Sequence, residues 1–226
     1  SRKAGHVPSV AIAGYTNAGK SSILNRITGA GVLVENQLFA TLDPTVRRAE
    51  TSDAREYTLV DTVGFVRALP HQLVEAFRST LEEVGDSDVL LHVVDGSHPD
   101  PEGQISAVRE VLADVGGDTL TEIIVINKAD IAEAEVIDRL TRANKHAVVV
   151  SARTGEGIDR LLQVVAEALP KPDVVVDVLI PYDRGDLVSR LHEYGEILDS
   201  EHTEHGTRVR AKVHKHALGD LAAYQI

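Results

Sequence analysis

The sequence predicts an α/β protein: a mostly parallel sheet in a three-layer α/β/α arrangement, followed by a small α+β domain. Between Val10 and Leu169, short runs rich in Val and Ile alternate with helical patterns, which is typical of a wound α/β sheet. Pro170-Lys171-Pro172 then forces extended backbone and removes two donors, so a domain boundary is predicted there. The predicted parts are the end of a linker at 1–8, a large domain at 9–170 and a small domain at 173–226.

Strands and helices alternate through the large domain. Each predicted strand is an apolar run that ends at a polar residue or a glycine. The strands are predicted at Val10–Gly14, Glu56–Asp61, Val89–Asp95, Glu122–Asn127 and Ala147–Ser151. The helices are predicted at Lys20–Ile27, Leu73–Val84, Glu102–Val115, Glu133–Ala143 and Ile158–Ala168. Ligands of open α/β sheets bind outside the carboxyl ends of the strands, so the chemistry is expected in the loops at that edge.

The small domain is predicted to have the order β-α-β-β-α. A hairpin is expected because two strand-like runs flank the turn Glu204-His205-Gly206. The strands are predicted at Asp173–Pro181, Glu196–His202 and Thr207–His214, and the helices at Gly185–Tyr194 and Ala217–Tyr224.

Composition excludes several classes of protein. The chain has 226 residues, no cysteine, and 23 basic against 35 acidic side chains, for a net charge of -12. It can form neither a disulfide framework nor a thiolate metal site, and it cannot coat nucleic acid electrostatically, because that needs clustered Lys and Arg. No apolar run approaches the roughly 18 residues of a membrane span. We expect a soluble, cytoplasmic monomer with no membrane partner.

A phosphate-binding loop is predicted at Gly14-Tyr15-Thr16-Asn17-Ala18-Gly19-Lys20-Ser21, which follows a buried strand and opens a helix. The glycines let backbone N–H groups surround the α and β phosphates, and the helix N-terminus favours negative charge. Lys20 is assigned to the β and γ phosphates and Ser21 to magnesium, with Ser22 beside them in the first helical turn. This motif alone fits ATPases and kinases as well as GTPases.

Three further motifs stand at strand ends. Asp61-Thr62-Val63-Gly64 can hold magnesium through water at Asp61 and contact a γ phosphate through the Gly64 N–H. In Asn127-Lys128-Ala129-Asp130, the carboxylate can accept the two donors of a guanine edge, the Lys128 stem can cover the base, and Asn127 can tie this loop to the phosphate loop. In Ser151-Ala152-Arg153, the Ala152 N–H can donate to the guanine carbonyl. Their order and spacing are those of a translation-factor-related GTPase, and Asp130 argues against an ATPase or a kinase.

A loop before the second predicted strand offers two threonines for closing on magnesium, Thr41 and Thr45, and the residues alone do not choose between them. Three segments together resemble the HflX family of ribosome-associated GTPases. They are Gly-Tyr-Thr-Asn-Ala-Gly-Lys-Ser, Phe-Ala-Thr-Leu-Asp-Pro-Thr from Phe39, and Asp-Thr-Val-Gly-Phe-Val-Arg-Ala-Leu-Pro-His-Gln-Leu-Val-Glu-Ala-Phe from Asp61. The resemblance spans about Val7 to Pro170.

The resemblance implies that Thr41 is the magnesium ligand beside Ser21. Because GTP hydrolysis depends on positioning and charge stabilisation, Lys20, Thr41 and Gly64 are predicted to contact the transition state. It also implies that the segment around Thr41 binds nucleotide, namely Phe39, Ala40, Thr41, Leu42 and Asp43. Members of the family carry an N-terminal domain, and this sequence is expected to begin after it.

The implied function is GTP hydrolysis stimulated by the large ribosomal subunit and its rRNA, with ribosome splitting or recycling in some members. The alternative is a GTP-dependent binding switch in ribosome assembly with little turnover. Phe65 stands where a water-orienting Gln would follow Gly64, so slow intrinsic turnover is predicted. Asn17 is a candidate ligand for potassium beside the phosphates, although it can equally serve to stabilise the loop.

Overall fold

The computed structural model describes residues 7–15, 17–29, 45–61, 84–114, 116–117, 120–214 and 217–226. It divides the chain into two compact units, Ser9–Leu169 and a second that contains Pro170–Ile226. The division falls at the segment where the sequence predicts the domain boundary. The helix predicted at Leu73–Val84 lies outside the described residues, except for its last residue.

A six-stranded sheet forms the centre of the larger unit, in the order β2-β3-β1-β4-β5-β6 within the described residues. Neighbouring strands are parallel, except that β2 is antiparallel to β3, with Thr45 opposite Asp61. The strands are β1 (Ser9–Gly14), β2 (Thr45–Glu50), β3 (Glu56–Asp61), β4 (Val89–Asp95), β5 (Thr121–Asn127) and β6 (Ala147–Val149).

Helices cover both faces of this sheet, which explains why its central strands are mostly apolar. The helices are α1 (Lys20–Thr28), α2 (Pro101–Ala113), α3 (Ala134–Ala143) and α4 (Ile158–Ala168). Along β1, Val10 and Ile12 pack with α1 and α4, whereas Ala11 and Ala13 pack with α2. The three-layer α/β/α arrangement predicted from the sequence is therefore confirmed.

The strand β2 is missing from the sequence prediction. Its sequence, Thr-Val-Arg-Arg-Ala-Glu, carries no apolar run or clean alternation. Among the described strands it lies at the edge of the sheet and pairs only with β3, and Val46 is largely exposed. An edge strand can keep charged side chains because one of its sides faces water, so the apolar pattern that marks a buried strand is absent here.

The smaller unit is a three-stranded antiparallel sheet in the order β7-β9-β8, again within the described residues. Its elements are β7 (Val174–Ile180), α5 (Gly185–Tyr194), β8 (Glu196–Thr203), β9 (Gly206–Val213) and α6 (Leu218–Leu221), with short 3₁₀ turns at Tyr182–Arg184 and Ala222–Tyr224. One face of the sheet packs against α5 and α6 through Val178, Leu187 and Leu221. The predicted order β-α-β-β-α matches this arrangement. In the described part of the chain, no helix has both the length and the apolar character to cross a bilayer.

A polar cluster joins two central strands to α2 in the larger unit. His92 on β4 is buried, and its Nδ1 lies 3.1 Å from Glu122 Oε2 on β5. Arg109 on α2 donates to the same carboxylate through Nη2 at 2.6 Å and Nε at 3.1 Å. Burial opposes ionisation of Glu122, but the hydrogen bonds from His92 and Arg109 outweigh it and hold its pKa at about 2. The cluster therefore stabilises a partly buried carboxylate.

Replacing Glu122 by Gln is expected to lower the free energy of unfolding at pH 7 by roughly 2–3 kcal/mol. The reason is that a carboxyl group whose pKa is lower in the folded than in the unfolded state stabilises the fold at any pH above the unfolded-state pKa. This stabilisation is lost as the pH falls from about 4.5 toward 2, so the difference between variant and parent should shrink over that window. Urea unfolding at pH 7 and pH 3 measures it. The control is Glu110→Gln on the exposed side of α2. An equal pH dependence for parent and Glu122→Gln would contradict the prediction.

Candidate functional site

The carboxyl ends of β1, β4 and β5 lie next to one another in the sheet. Gly14 is in register with Val93, and Asp95 with Asn127. Because these strands are parallel, the loops that follow them emerge at the same edge. The phosphate loop and the loop after Asn127 are therefore neighbours, although they lie more than a hundred residues apart in the chain.

Two glycines allow the phosphate loop to pack against this edge. A Cβ on Gly14 would lie 2.5 Å from the Val93 carbonyl oxygen, and one on Gly19 would lie 2.2 Å from Asn127 Nδ2. Gly19 also has a φ of +99° and caps α1 without a side chain that could bind the first backbone N–H groups. These N–H groups and the helix dipole favour an anion at the start of α1.

Lys20 and Asp61 form an ion pair at the start of α1. Lys20 Nζ lies 3.3 Å from Asp61 Oδ1, and the two side chains are 11% and 13% exposed. Burial lowers the pKa of Lys20, and the carboxylate of Asp61 opposes that change. A desolvated ammonium group next to the phosphate loop is suited to binding a further anion, since water screens it poorly.

Asn127 joins the phosphate loop to the loop that follows β6. Its Nδ2 donates to the Ala18 carbonyl at 2.9 Å, and its Oδ1 accepts from the Ala152 N–H at 3.0 Å. The side chain is 3% exposed. An amide can donate and accept at once, so a single residue fixes the spacing of both loops.

Asp130 is held in a fixed orientation at the same edge. Ser151 Oγ donates to its Oδ1 at 2.9 Å, and the exposed Arg153 guanidinium lies 3.7 Å from its Oδ2. Lys128 has a φ of +63°, and its Nζ donates at 3.0 Å to Asp95, the last residue of β4. Burial opposes ionisation of Asp95, but hydrogen bonds from Ser97 and Lys128 outweigh it and lower its pKa.

A cavity of about 560 Å³ lies between these loops. Most of its lining residues have polar side chains, and most belong to the predicted motifs. The lining residues are Asn17, Gly19, Ser22, Asn127, Lys128, Asp130, Ile131, Ser151, Ala152 and Arg153. A cavity of this size accommodates a nucleotide-sized ligand.

The structure brings together the predicted residues of the phosphate loop, of the loop after β5 and of the loop after β6. Lys20, Ser21 and Ser22 occupy the first turn of α1, and Asp61 ends β3. Predicted residues outside the described part of the chain are Thr16, Phe39, Ala40, Thr41, Leu42, Asp43, Thr62, Val63 and Gly64, together with Phe65.

One assignment differs from the prediction. The Ala152 N–H was expected to donate to a guanine carbonyl, but in the structure it donates to Asn127 Oδ1. The reason is geometric, since Ala152 is 7% exposed and its peptide N–H faces the amide that ties the loops together. This donor is already engaged within the protein.

Sequence analysis missed three residues at the site. Ile131 follows Asp130 directly and lines the cavity, and Asp95 binds Lys128. Asp95 could have been found, because it ends a predicted strand at the expected edge. Arg26, in the last turn of α1, donates to the carbonyls of Ala152 and Arg153. No sequence motif identifies Arg26, because its partners are backbone carbonyls. Every residue type has such a carbonyl, so the contact does not constrain the residues at positions 152 and 153.

The sheet order, the phosphate loop and the two loops that Asn127 joins define a P-loop GTPase fold. A family model described as "50S ribosome-binding GTPase" matches residues 9–128, and one described as "HflX C-terminal domain" matches residues 136–219. The chain belongs to the HflX family of GTPases.

Curated relatives and a solved structure agree with this placement. "GTPase HflX" of Lacrimispora saccharolytica is 44% identical over 98% of this chain and 52% of its own length. "GTPase HflX" of Escherichia coli is 43% identical over 85% of this chain and 46% of its own length. A GTP-binding protein from Sulfolobus solfataricus, solved in complex with GDP, is 27% identical with a TM-score of 0.57, over 71% of this chain and 52% of that one. The chain thus spans about half the length of the curated relatives it matches.

Proposed function

We propose that this chain binds GTP and GDP in the cavity between its strand-end loops and hydrolyses GTP. The observation that carries the proposal is the Asn127 side chain, which binds both Ala18 and Ala152. It thereby holds the phosphate loop and the loop after β6, residues 151–155 and called the base loop below, at a fixed separation. Asp130, oriented by Ser151, would accept the two N–H donors of the guanine edge. Adenine lacks this pair of donors, so the carboxylate selects guanine.

The residues at the start of α1 fit a magnesium ion. Magnesium prefers hard oxygen ligands and is bound through few protein groups beside substrate phosphates. Ser21, in the first turn of α1, and Thr41 would be its direct ligands, and Asp61 at the end of β3 would act through water. The ion would neutralise charge on the β and γ phosphates. Asn17, which lines the cavity with a φ of +68°, is our candidate ligand for potassium beside the same phosphates.

Hydrolysis then depends on positioning and on charge stabilisation. Lys20 would bind the β and γ phosphates, and the Gly64 N–H would donate to the γ phosphate. Thr41 would help to orient the γ phosphate by binding the magnesium ion that contacts it. Phe65 cannot orient the attacking water, so the intrinsic rate is expected to be slow until a partner fixes the segments around Thr41 and Gly64 against the nucleotide.

That partner is the large ribosomal subunit. The family model that matches residues 9–128 supports this proposal, since it is described as a 50S ribosome-binding GTPase. The acidic chain, with a net charge of -12, would meet rRNA locally and not through a broad basic face. Splitting or recycling of ribosomes is the proposed outcome of GTP-dependent binding.

Single-turnover GTP hydrolysis, with and without purified large subunits, tests the proposal. We expect a slow basal rate and an increase of at least about tenfold with subunits, because a partner that fixes the segments around Thr41 and Gly64 supplies transition-state contacts. Small subunits serve as the control. A rate that large subunits leave unchanged would favour a binding switch without functional turnover.

The same assay, run once in potassium and once in sodium chloride, tests the role of Asn17. Equal hydrolysis rates in the two salts would exclude Asn17 as a potassium ligand that matters for hydrolysis.

A further inference from the structure

Arg26 connects the two ends of the proposed nucleotide site from outside the cavity. It lies in the last turn of α1, the helix that the phosphate loop opens. Its Nε donates to the Ala152 carbonyl at 2.7 Å, and its Nη2 donates to the Arg153 carbonyl at 2.9 Å. These two carbonyls belong to the base loop, so one side chain fastens that loop to the phosphate-binding helix.

The base loop is shaped to receive this side chain. Gly155 has a φ of +88°, and a Cβ there would lie 3.2 Å from Arg26 Nη1. The loop closes on itself through Gly155 N–H to the Ser151 carbonyl at 2.8 Å. A planar guanidinium with several fixed donors can bind two adjacent carbonyls at once, which a lysine cannot match. The contact is therefore geometrically specific.

Arg26 and Asn127 hold the same residue from opposite sides. The Ala152 N–H donates to Asn127 Oδ1, and the Ala152 carbonyl accepts from Arg26 Nε. Ser151, the residue before it, orients the Asp130 carboxylate through its Oγ. Displacing this part of the loop would turn Ser151 and release Asp130 from its fixed orientation. The outer side of Arg26 is exposed, so the fold itself depends little on the residue.

We propose that Arg26 is a positioning residue that controls how long the site retains guanine nucleotide and how strictly it reads the base. The proposal rests on the proposed function, because it assigns Arg26 a role in that same site. Arg26 acts through the base loop: it holds Ala152 and Arg153 so that Ser151 keeps Asp130 aimed at the guanine edge.

Release of a fluorescent GDP, together with equilibrium affinities for GDP and inosine diphosphate, tests the proposal on the parent chain and its variants. Inosine lacks the 2-amino group that Asp130 would read. Arg26→Ala removes both hydrogen bonds to the base loop and should release GDP at least about tenfold faster, because a single charge-assisted hydrogen bond already accounts for about that factor. It should also reduce the preference for GDP over inosine diphosphate. Arg26→Lys, which keeps the charge and not the fork, should give intermediate values.

The matched control is Arg55→Ala. Arg55 also donates from Nη2 to a backbone carbonyl, that of Ala166 at 2.8 Å, in the same unit but outside the cavity lining. It should leave GDP release and base preference unchanged. The proposal is overturned if Arg26→Ala releases GDP at the parent rate, or if it weakens both nucleotides equally, as a purely structural residue would. A parent chain that bound no GDP would instead refute the proposed function.

Discussion

The variant Asp130→Asn should bind guanine nucleotides about two to four orders of magnitude more weakly than the parent chain, because two charge-assisted hydrogen bonds are lost. It should bind xanthine nucleotides more tightly, since their C2 carbonyl can accept from the new amide. The substitution is nearly isosteric, and an Asn oxygen can still accept from Ser151 Oγ, which donates to Asp130 at 2.9 Å. The fold should therefore persist.

Calorimetry with GDP and xanthosine diphosphate measures this exchange of preference. Asp138→Asn is the control, since it removes the same charge from an exposed position on α3 of the same unit. It should leave both affinities as they are in the parent chain. If Asp130→Asn still preferred guanine, the assignment of Asp130 as the group that reads the base would be wrong.

A second large effect is expected at Lys20. Replacing it by Met should weaken GTP binding by about 100-fold or more and abolish measurable hydrolysis, because the charge that binds the β and γ phosphates is removed. The variant should also be less stable than the parent chain, by about 2–3 kcal/mol, because Asp61 would keep a largely buried charge without its partner at 3.3 Å.

The double variant Lys20→Met with Asp61→Asn separates these two effects. Removing both charges should restore most of the free energy of unfolding, while GTP binding stays weak. Denaturant unfolding and nucleotide titration on the same samples provide the comparison. Recovery of GTP binding in the double variant would mean that Lys20 serves to neutralise Asp61 and does not bind phosphate.

The sequence predicts those parts of the fold that follow from local pattern. Buried parallel strands form mostly apolar runs, so β1, β4 and β5 appear within one residue of their predicted bounds. The edge strand β2 could not be found in this way. It carries charged side chains at the exposed edge of the sheet, so its sequence contains no apolar run. Prediction of strand ends also located the edge of the sheet where the site lies.

The sequence predicts those residues of the site whose side chains act within a recognisable motif. Gly19, Lys20, Asn127 and Asp130 stand in motifs whose spacing has a physical reason. Arg26 was not predictable, because its partners are backbone carbonyls more than a hundred residues away in the chain. The Ala152 N–H was assigned to the ligand for a related reason, since sequence does not reveal which backbone donors the protein already uses.

The pairing of β2 with β3 has a consequence for the segments that flank this hairpin. Thr45 and Asp61 are directly opposed in the ladder, so the chain enters the hairpin and leaves it at one point. In the chain, Thr41 lies four residues before Thr45 and Gly64 lies three residues after Asp61, so both stretches are attached to this one pair of opposed residues. A partner that bound either stretch and displaced this pair would therefore also move the attachment point of the other stretch. The two stretches would then respond to binding together.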